Sequence, residues 1–559
     1  MQRKRTLAFV LVFVFSSMLT LSGRVQILEA SGLTIYIRAD GSIDPSTPLI
    51  SNLDNFSYAL TDDINGNLVV ERDNIIIGGG NYTLIGPGTG IGVDVTTRVN
   101  VTLQYIGFRG FSMAIHMSFS SDCYILNNTI TDGGGIVLYY DSNNNTIVGN
   151  VLTNCSMGIS MSECSKNRLR DNRLVNNFYA FGASGVTLDH NIHDIDTSNI
   201  IDGKPIYYLI NRSNLVINPN TFPDIGYLGI INSTNIVIGN LTILRQGLGL
   251  QVSYTEGSKI ENVTISDTDE CIDLYGSANN TIAGNNLTNC MFGLGLINST
   301  QNNVTSNVIS GAVVAAISLR NSTGNRITES VVSNCGRCLD LMDSSGNVIE
   351  HNNFVSYSEV YIQNSANAWD SGVEGNYWAH YTGVDSNEDG VGDTSYSLDV
   401  NNSDRCPLMG MFHSFVVVPP YSGNETQFVS VVSNSTVSGL GLYFWLSSPN
   451  QYLQPGQAYV MFFATGENGT AGFCRMTMPR SVLNSTQYVV LVDMKPVNVT
   501  ELPIPLSSHV CVYFAYDHSS HEVIIPIKEN PAVFVPLMIA VALAVLVKKK
   551  TPGGWRLAR

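Results

Sequence analysis

The stretch "NNTIAGNNLTNCMFGLGLINST", residues 279 to 300, carries no charged side chain and no helical stripe. Its apolar residues return in spaced pairs such as Leu294 and Leu296, separated by corners rich in Asn, Ser and Gly. Taking the apolar residue after each corner gives Ile260, Ile282, Val304, Ile327 and Val348, with steps of 22, 22, 23 and 21 residues. Upstream, Ile76, Val101, Tyr124, Ile147 and Leu169 step by 25, 23, 23 and 22. A sustained period just above twenty, made of short alternating segments, is the signature of a solenoid. The Leu-x-x-Leu-x-Leu pattern of leucine-rich repeats is missing. A right-handed parallel β-helix fits instead, with three short strands per coil that alternate inward apolar and outward polar residues.

On this reading Ile115/Met117, Ile159/Met161, Ile272/Leu274, Leu294/Leu296, Ile317/Leu319, Leu339/Leu341 and Val360/Ile362 point inward and stack from coil to coil. Asn150, Asn172, Asn285 and Asn307 fall at matching turns, where amide side chains can bond along the axis and satisfy buried backbone groups.

A chain of 559 residues suits an array that grows along one axis. Charged residues make up only 13% and the net charge is −16, which excludes the clustered cations that nucleic acids require. A hydrophobic content of 44% argues for buried structure and against disorder.

Both ends speak of location. Residues 1–30 open with Arg3-Lys4-Arg5, continue through LAFVLVFVFSSMLTL and read as a signal peptide, with an uncleaved anchor as the alternative. Residues 531–547 form an apolar run containing Pro536, followed by Lys548-Lys549-Lys550 and a basic tail, 548–559. That is a short transmembrane helix by the positive-inside rule, or a buried core helix. The expected protein is exported, anchored by its C-terminus, with its bulk outside the cell. Asn-x-Ser/Thr sequons, among them Asn55, Asn154, Asn240, Asn298 and Asn484, agree with an extracellular glycoprotein. Cys335-Gly-Arg-Cys338 lacks a second pair for zinc, and Cys474 with Cys511 is a candidate disulfide.

Between the ends, residues 31–71 read as a lead-in and cap, and 72–411 as the β-helix. Within it, 193–230 reads as an insertion that breaks the period, and 369–411 as a closing cap. After Pro419-Pro420 the period vanishes, and 421–528 alternates as longer strands, expected to form a small β-sandwich stalk.

The opening YIRADGSIDPST (36–47), ERDNIIIGGGNYTL (71–84), DGKPIYYLINRSN (202–214) and GNYWAHYTGVDSNEDGVGDTSY (375–396) resemble NosD-like β-helix proteins of archaeal cell surfaces. The resemblance spans roughly residues 33 to 411. It implies a fold shared with polysaccharide-binding and polysaccharide-cleaving β-helices, and a namesake that is an accessory protein for a copper enzyme. It leaves function open.

Three kinds of site are legible. Asp385, Asn387, Asp389, the Val391 carbonyl and Asp393 stand at positions 1, 3, 5, 7 and 9 of a calcium-type loop, with Gly390 at 6. Tyr396 occupies position 12, so Asp399 or Asp404 is the candidate for the missing oxygen; an acidic turn without metal is the alternative. The outward ladder of one strand face reads His116, Val137, Ser160, Gly249, Asp273, Gly295, Ser318, Asp340 and Tyr361. Of these, His116, Ser160, Asp273, Ser318, Asp340 and Tyr361 are the candidate walls of a saccharide groove, with Gly249 and Gly295 leaving room.

Asp269, Glu270 and Asp273 form an acidic cluster and are the catalytic candidates. Asp273 and Asp340, three coils and about 14 Å apart, are too distant to act as a glycosidase pair. No Arg or Lys is evident beside them to serve as a lyase base. Copper is the family-prompted alternative. Met113, His116, Met117, Met157 and Met161 are soft donors, but most occupy inward positions where Met fills a core, and His190/His193 and His518/His521 are isolated pairs.

The leading expectation is a surface-anchored protein that binds or presents a face to extracellular glycans. Polysaccharide lyase or hydrolase activity and copper handling are the alternatives.

Overall fold

The computed structural model describes residues 32–244, 247–356, 359–418, 426–446, 449, 451–483 and 488–527. The protein is all-β, a β-solenoid of about 14 turns followed by small antiparallel sheets. Among the described residues the only helical element is a single 3-10 turn, Asp189–Asn191. No described helix is long and apolar enough to cross a membrane. The segments 1–30 and 531–547, read as signal peptide and membrane helix, lie outside the described residues.

The chain divides into two compact units, residues 1–208 with 224–228, and 209–223 with 229–559. In the first, parallel pairing already begins at Leu33–Ile37, which runs beside Ile64–Val70 inside the stretch read as a lead-in. Stacked columns of side chains fill its interior, three of them as follows. One is Val93, Ile115, Ile136, Ile159 and Phe181. A second is Ile77, Leu103, Ile125, Ile147, Leu169 and Ile195. The third is Leu84, Phe108, Ile130, Leu152, Leu174 and Ile201.

The second unit repeats the plan. Leu250, Ile272, Leu294, Ile317 and Leu339 form one column. Ile217, Ile238, Ile260, Ile282, Val304, Ile327 and Ile349 form another.

These registers correct four residues of the periodic series; Leu103, two residues on from Val101, stands in the Ile147 column. Ile349, not Val348, continues the Ile327 column. Ile76 and Tyr124 are 43% and 42% exposed, and their neighbours Ile77 and Ile125 point inward. An offset of one residue turns every side chain to the opposite face of a strand. Val360 and Ile362 are half-buried.

The corners are held by side-chain ladders. Asn150 donates to the Asn172 side-chain oxygen at 3.0 Å and to the Ile125 carbonyl at 2.8 Å, and accepts from the Asn128 amide at 3.0 Å. Asn285 bonds Asn307 in the same way at 2.9 Å. A further run links Asn280, Asn302, Asn325 and Asn347. Each amide uses its donor and acceptor on successive coils, so a thin solenoid buries polar groups without orphaning them.

Beside the Leu250 to Leu339 column runs a position held by small residues, Gly249, Cys271, Gly293, Ala316 and Cys338. A Cβ on Gly249 would meet the Cys271 carbonyl at 2.4 Å, and one on Gly293 the Ala316 carbonyl at 2.4 Å. The chain bends there toward the neighbouring coil and leaves room for little else.

The stretch read as an insertion remains partly paired to the coils. Asp194–Ile195 and Ile200–Ile201 continue parallel sheets, and Lys204–Pro205 folds back antiparallel on the latter around Asp202-Gly203. In the closing segment the Trp369 indole donates to Asn402 at 3.0 Å and the Trp378 indole to Asp404 at 2.8 Å, with Trp378 stacked on Phe354.

Beyond it, Met411–Val417, Gln427–Ser433, Ala471–Pro479, His509–Asp517 and Thr500–Leu502 form one antiparallel sheet. Thr436–Phe444, Ala458–Thr465, Ser520–Pro526, Val490–Val492 and Lys495–Val497 form a second. The two share a core around Val431, Val460, Phe462, Met476, Phe514 and Val523.

The disulfide joins Cys271 to Cys290, with Cα atoms 5.9 Å apart. Cys474 and Cys511 are not bonded to each other. Cys474 faces Phe514 and Cys511 faces Thr477, so about 10 Å of strand separates them, beyond the reach of a disulfide.

Candidate functional site

The outward ladder is real in register, with one substitution. In the first unit Asp94, His116, Val137, Ser160 and Gly182 stand side by side. In the second the column is Gln251, Asp273, Gly295, Ser318, Asp340 and Tyr361. Gln251 holds the place assigned to Gly249, which belongs to the tight column beside the core. His116 and Ser160 thus sit in one unit, and Asp273, Ser318, Asp340 and Tyr361 in the other.

Most of the second column is buried. Gln251, Asp273, Ser318 and Asp340 are 1%, 9%, 5% and 2% exposed, whereas Tyr361 is 37% exposed. Burial at this level normally demands partners for every polar atom. Yet Oδ1 of Asp273, Oδ1 of Asp340 and Oδ2 of Asp269 are buried with no hydrogen-bond partner. Gly295 lets the Asp273 carboxylate approach its backbone, since a Cβ there would sit only 3.1 Å from Asp273 Oδ1.

Arg337, which the sequence did not place on this face, completes the far end. Its Nη1 lies 3.2 Å from Asp340 Oδ2, and its guanidinium sits 4.4 Å above the Tyr361 ring. A cation is therefore present beside the acidic residues after all.

The acidic cluster at the other end has shifted carboxyls. Burial pushes Asp273 up to about 7 and Asp269 up to about 6. Glu270 is raised well above the ordinary range, first by burial and then by its neighbours Asp273 and Asp269, with Arg320 opposing. Raised carboxyls of this kind are common at acid–base sites.

The calcium-type loop folds on its own carboxylates. Asp385 accepts the N–H groups of Asp389 and Gly390 at 3.0 and 2.8 Å, Asp389 accepts that of Val391 at 2.8 Å, and Asp393 that of Ser386 at 2.7 Å. Asn387 donates to Asp389 at 3.3 Å. The two residues considered for the missing oxygen are engaged elsewhere. Asp404 accepts from Trp378 and Asn376 inside the cap, and Asp399 accepts from Asn401 and Asn402.

The soft donors do not converge on a copper site. Met117 and Met161 fill the interior. His116 Nδ1 lies 3.2 Å from Asp94 and 3.3 Å from Thr96. His193 is pushed down to about 4 by burial, with one ring nitrogen on the Asn167 N–H and the other on the His190 carbonyl. His518 is bonded to Ser435 and Thr470, and His521 to Asp493. Burial lifts the Cys338 thiol to about 12. Among the described residues no group of three or more His, Cys, Asp or Glu is placed to hold a metal ion.

A surface depression of about 260 Å³ lined by Asn81, Thr83, Tyr105, Asn127, Thr129 and Thr131 contains none of the residues singled out from the sequence. The unpartnered carboxylates identify the more informative place.

The family described as "Periplasmic copper-binding protein (NosD)" matches residues 61–207 and 190–383, together more than half of the chain. Among curated proteins none matches the sequence. The chain is similar in fold to a tailspike protein of E. coli bacteriophage HK620, solved with a pentasaccharide. That likeness has 10% identity and a TM-score of 0.26, covering 83% of this chain and 87% of that one. It is also similar to a DFA-IIIase from Arthrobacter chlorophenolicus A6 in complex with GF2, at 15% identity and a TM-score of 0.20, covering 55% and 68%. A third likeness is to ORF18 of Geobacillus virus E2, at 10% identity and a TM-score of 0.23, covering 76% and 68%.

Proposed function

The chain belongs to the NosD family, and we propose that it acts outside the cell as a β-helix whose polar column from Gln251 to Tyr361 binds glycans. The observation that carries this reading is the pair of buried, unpartnered carboxylate oxygens on Asp273 and Asp340, set on one column with Ser318 between them. A sugar hydroxyl that displaced the groups covering these oxygens could donate to them, and Gly295 places no side chain against the first. Arg337 over Tyr361 adds a donor and an aromatic face at the end of the column.

In this reading the N-terminal segment exports the chain, residues 531–547 anchor it in the membrane, and the antiparallel sheets form a sandwich stalk. Protease accessibility on intact cells tests that placement. Calcium in the 385–393 loop is a lesser part of the proposal: the three aspartates are not grouped as a metal site in this structure, so Asp385, Asn387, Asp389, Asp393 and the Val391 carbonyl would have to draw together around the ion, tightening the cap. A rise in melting temperature with calcium, reversed by chelation and lost in Asp389→Ala, is the expected result.

Glycan-array binding by the full chain, weakened in Asp340→Asn, tests the main reading. An array on which no glycan is retained would overturn it.

Cleavage is a second reading, favoured by the raised carboxyls of Asp269, Glu270 and Asp273. A protonated member is suited to donate to a leaving oxygen while a charged neighbour serves as base. Reducing ends or unsaturated sugars released from polyuronates, and abolished by Asp273→Asn, would establish it. Binding with no released product would leave the column as a binding face alone.

A further inference from the structure

Each coil turns a corner after its outward-facing column through a residue in the left-handed backbone region. In the second unit that residue is Asn232, Gly276, Asn298, Asn321, Asp343 or Asn364, with Tyr254 the exception among the described corners. Asn, Asp and Gly tolerate this conformation, whereas a bulky side chain crowds its own carbonyl there. The first unit departs from this choice, with Thr97 and Glu163 at two such corners and aromatic residues at two others. Phe119 and Tyr140 hold φ values of 54° and 39°. They are also 55% and 39% exposed, and their rings stack 5.7 Å apart at 17°.

Two aromatic side chains are thus kept in a disfavoured backbone state in order to face water, where neither contributes to the core. Strain of this kind persists where it serves a function. The stack also borders polar groups. Tyr139 lies 6.0 Å from Tyr140 and 6.1 Å edge-on from His116, which is paired with Asp94. Flat apolar rings beside hydrogen-bonding groups match the two-sided chemistry of a pyranose, which has a face of C–H bonds and a rim of hydroxyls. The net charge of −16 disfavours an anionic ligand.

We infer that Phe119 and Tyr140 form a stacking platform for a neutral pyranose ring, with His116 and Asp94 alongside to engage its hydroxyls. This rests on the glycan reading and adds to it a subsite in the first unit, together with a preference for neutral hexoses.

The test replaces each aromatic with the residue other corners use, Phe119→Asn and Tyr140→Asn in the full chain. It measures melting temperature, and affinity for the best-retained member of a set of neutral gluco-, manno- and galacto-oligosaccharides. The expected result is a melting temperature unchanged or raised by about 2 °C, with affinity about tenfold weaker. Unchanged affinity overturns the platform, and so does a melting temperature lowered by more than about 5 °C, which would assign the aromatics to the fold. If Asp340→Asn weakens binding while the corner variants do not, the platform falls and the glycan reading stands. If the wild-type chain retains no oligosaccharide, both fall.

Discussion

Asp94 and Asp273 occupy the same kind of position, outward on the first strand of a coil, one in each unit. Both are nearly buried, at 7% and 9% exposed. Their carboxyls nonetheless shift in opposite directions. Burial alone pushes Asp94 upward, but hydrogen bonds from His116 and Thr96 outweigh it and hold the group below the usual carboxylate range. Asp273 meets the same burial without such partners and is pushed up to about 7. Burial sets the cost, and the neighbouring residue decides its sign. A carboxylate left in the second condition weakens the fold at neutral pH, which is the pattern expected of a group awaiting a ligand.

The largest effect should come from making Asp94 resemble Asp273. His116→Ala removes the principal partner and is expected to destabilise the protein by about 2 kcal/mol, measured by chemical denaturation at pH 7. A cost near zero would mean that solvent already serves Asp94.

The converse change carries the opposite sign. Asp273→Asn should stabilise the chain at pH 7 by about 1 kcal/mol while weakening glycan binding. An acid whose folded pKa is raised binds more protons folded than unfolded. Its favourable contribution is therefore present below the unfolded value and disappears as pH rises through the folded one. The advantage of Asp273→Asn should accordingly be absent below the ordinary carboxylate range, grow from there up to about 7 and level off above it. Denaturation at both ends of that window checks it; a gain independent of pH would refute the assignment.

The smallest expected effect is that of Gly295→Ala. Its Cβ would stand 3.1 Å from Asp273 Oδ1, so the carboxylate must yield slightly. Stability should change by less than about 1 kcal/mol, while oligosaccharide affinity falls because the new methyl occupies the gap. Unchanged affinity would remove Gly295 from the site.

The stacked architecture was legible because alternation and period are repeated many times over, and each coil constrains the next. Leu294/Leu296 and Asn285 needed no long-range information to be placed. The errors fall where the signal is local. Ile76, Tyr124 and Val348 were one residue out because corner lengths vary, and a chain of adjacent apolar residues offers two phases. Gly249 was mistaken for Gln251 in the same way, since Leu248, Leu250 and Val252 continue either reading.

Side-chain partners were harder still. Arg337 reaches Asp340 from the residue before the small Cys338 bend, and nothing in the spacing marks its direction. Cys474 and Cys511 lie in neighbouring strands, as their alternation implied, but antiparallel register sets them three residues apart. Phe119 and Tyr140 carried a fainter signal, being aromatic residues where most corners of the second unit use Asn, Asp or Gly. That signal becomes visible only when the corners are aligned from coil to coil.

The most direct test is a carbon-13 NMR titration of the aspartate side-chain carboxyls in the full chain, with and without a retained oligosaccharide. Asp273 should titrate near 7 and Asp94 below the ordinary range, and the oligosaccharide should move the Asp273 resonance. An Asp273 that titrates like a free aspartate and ignores the sugar would contradict the account.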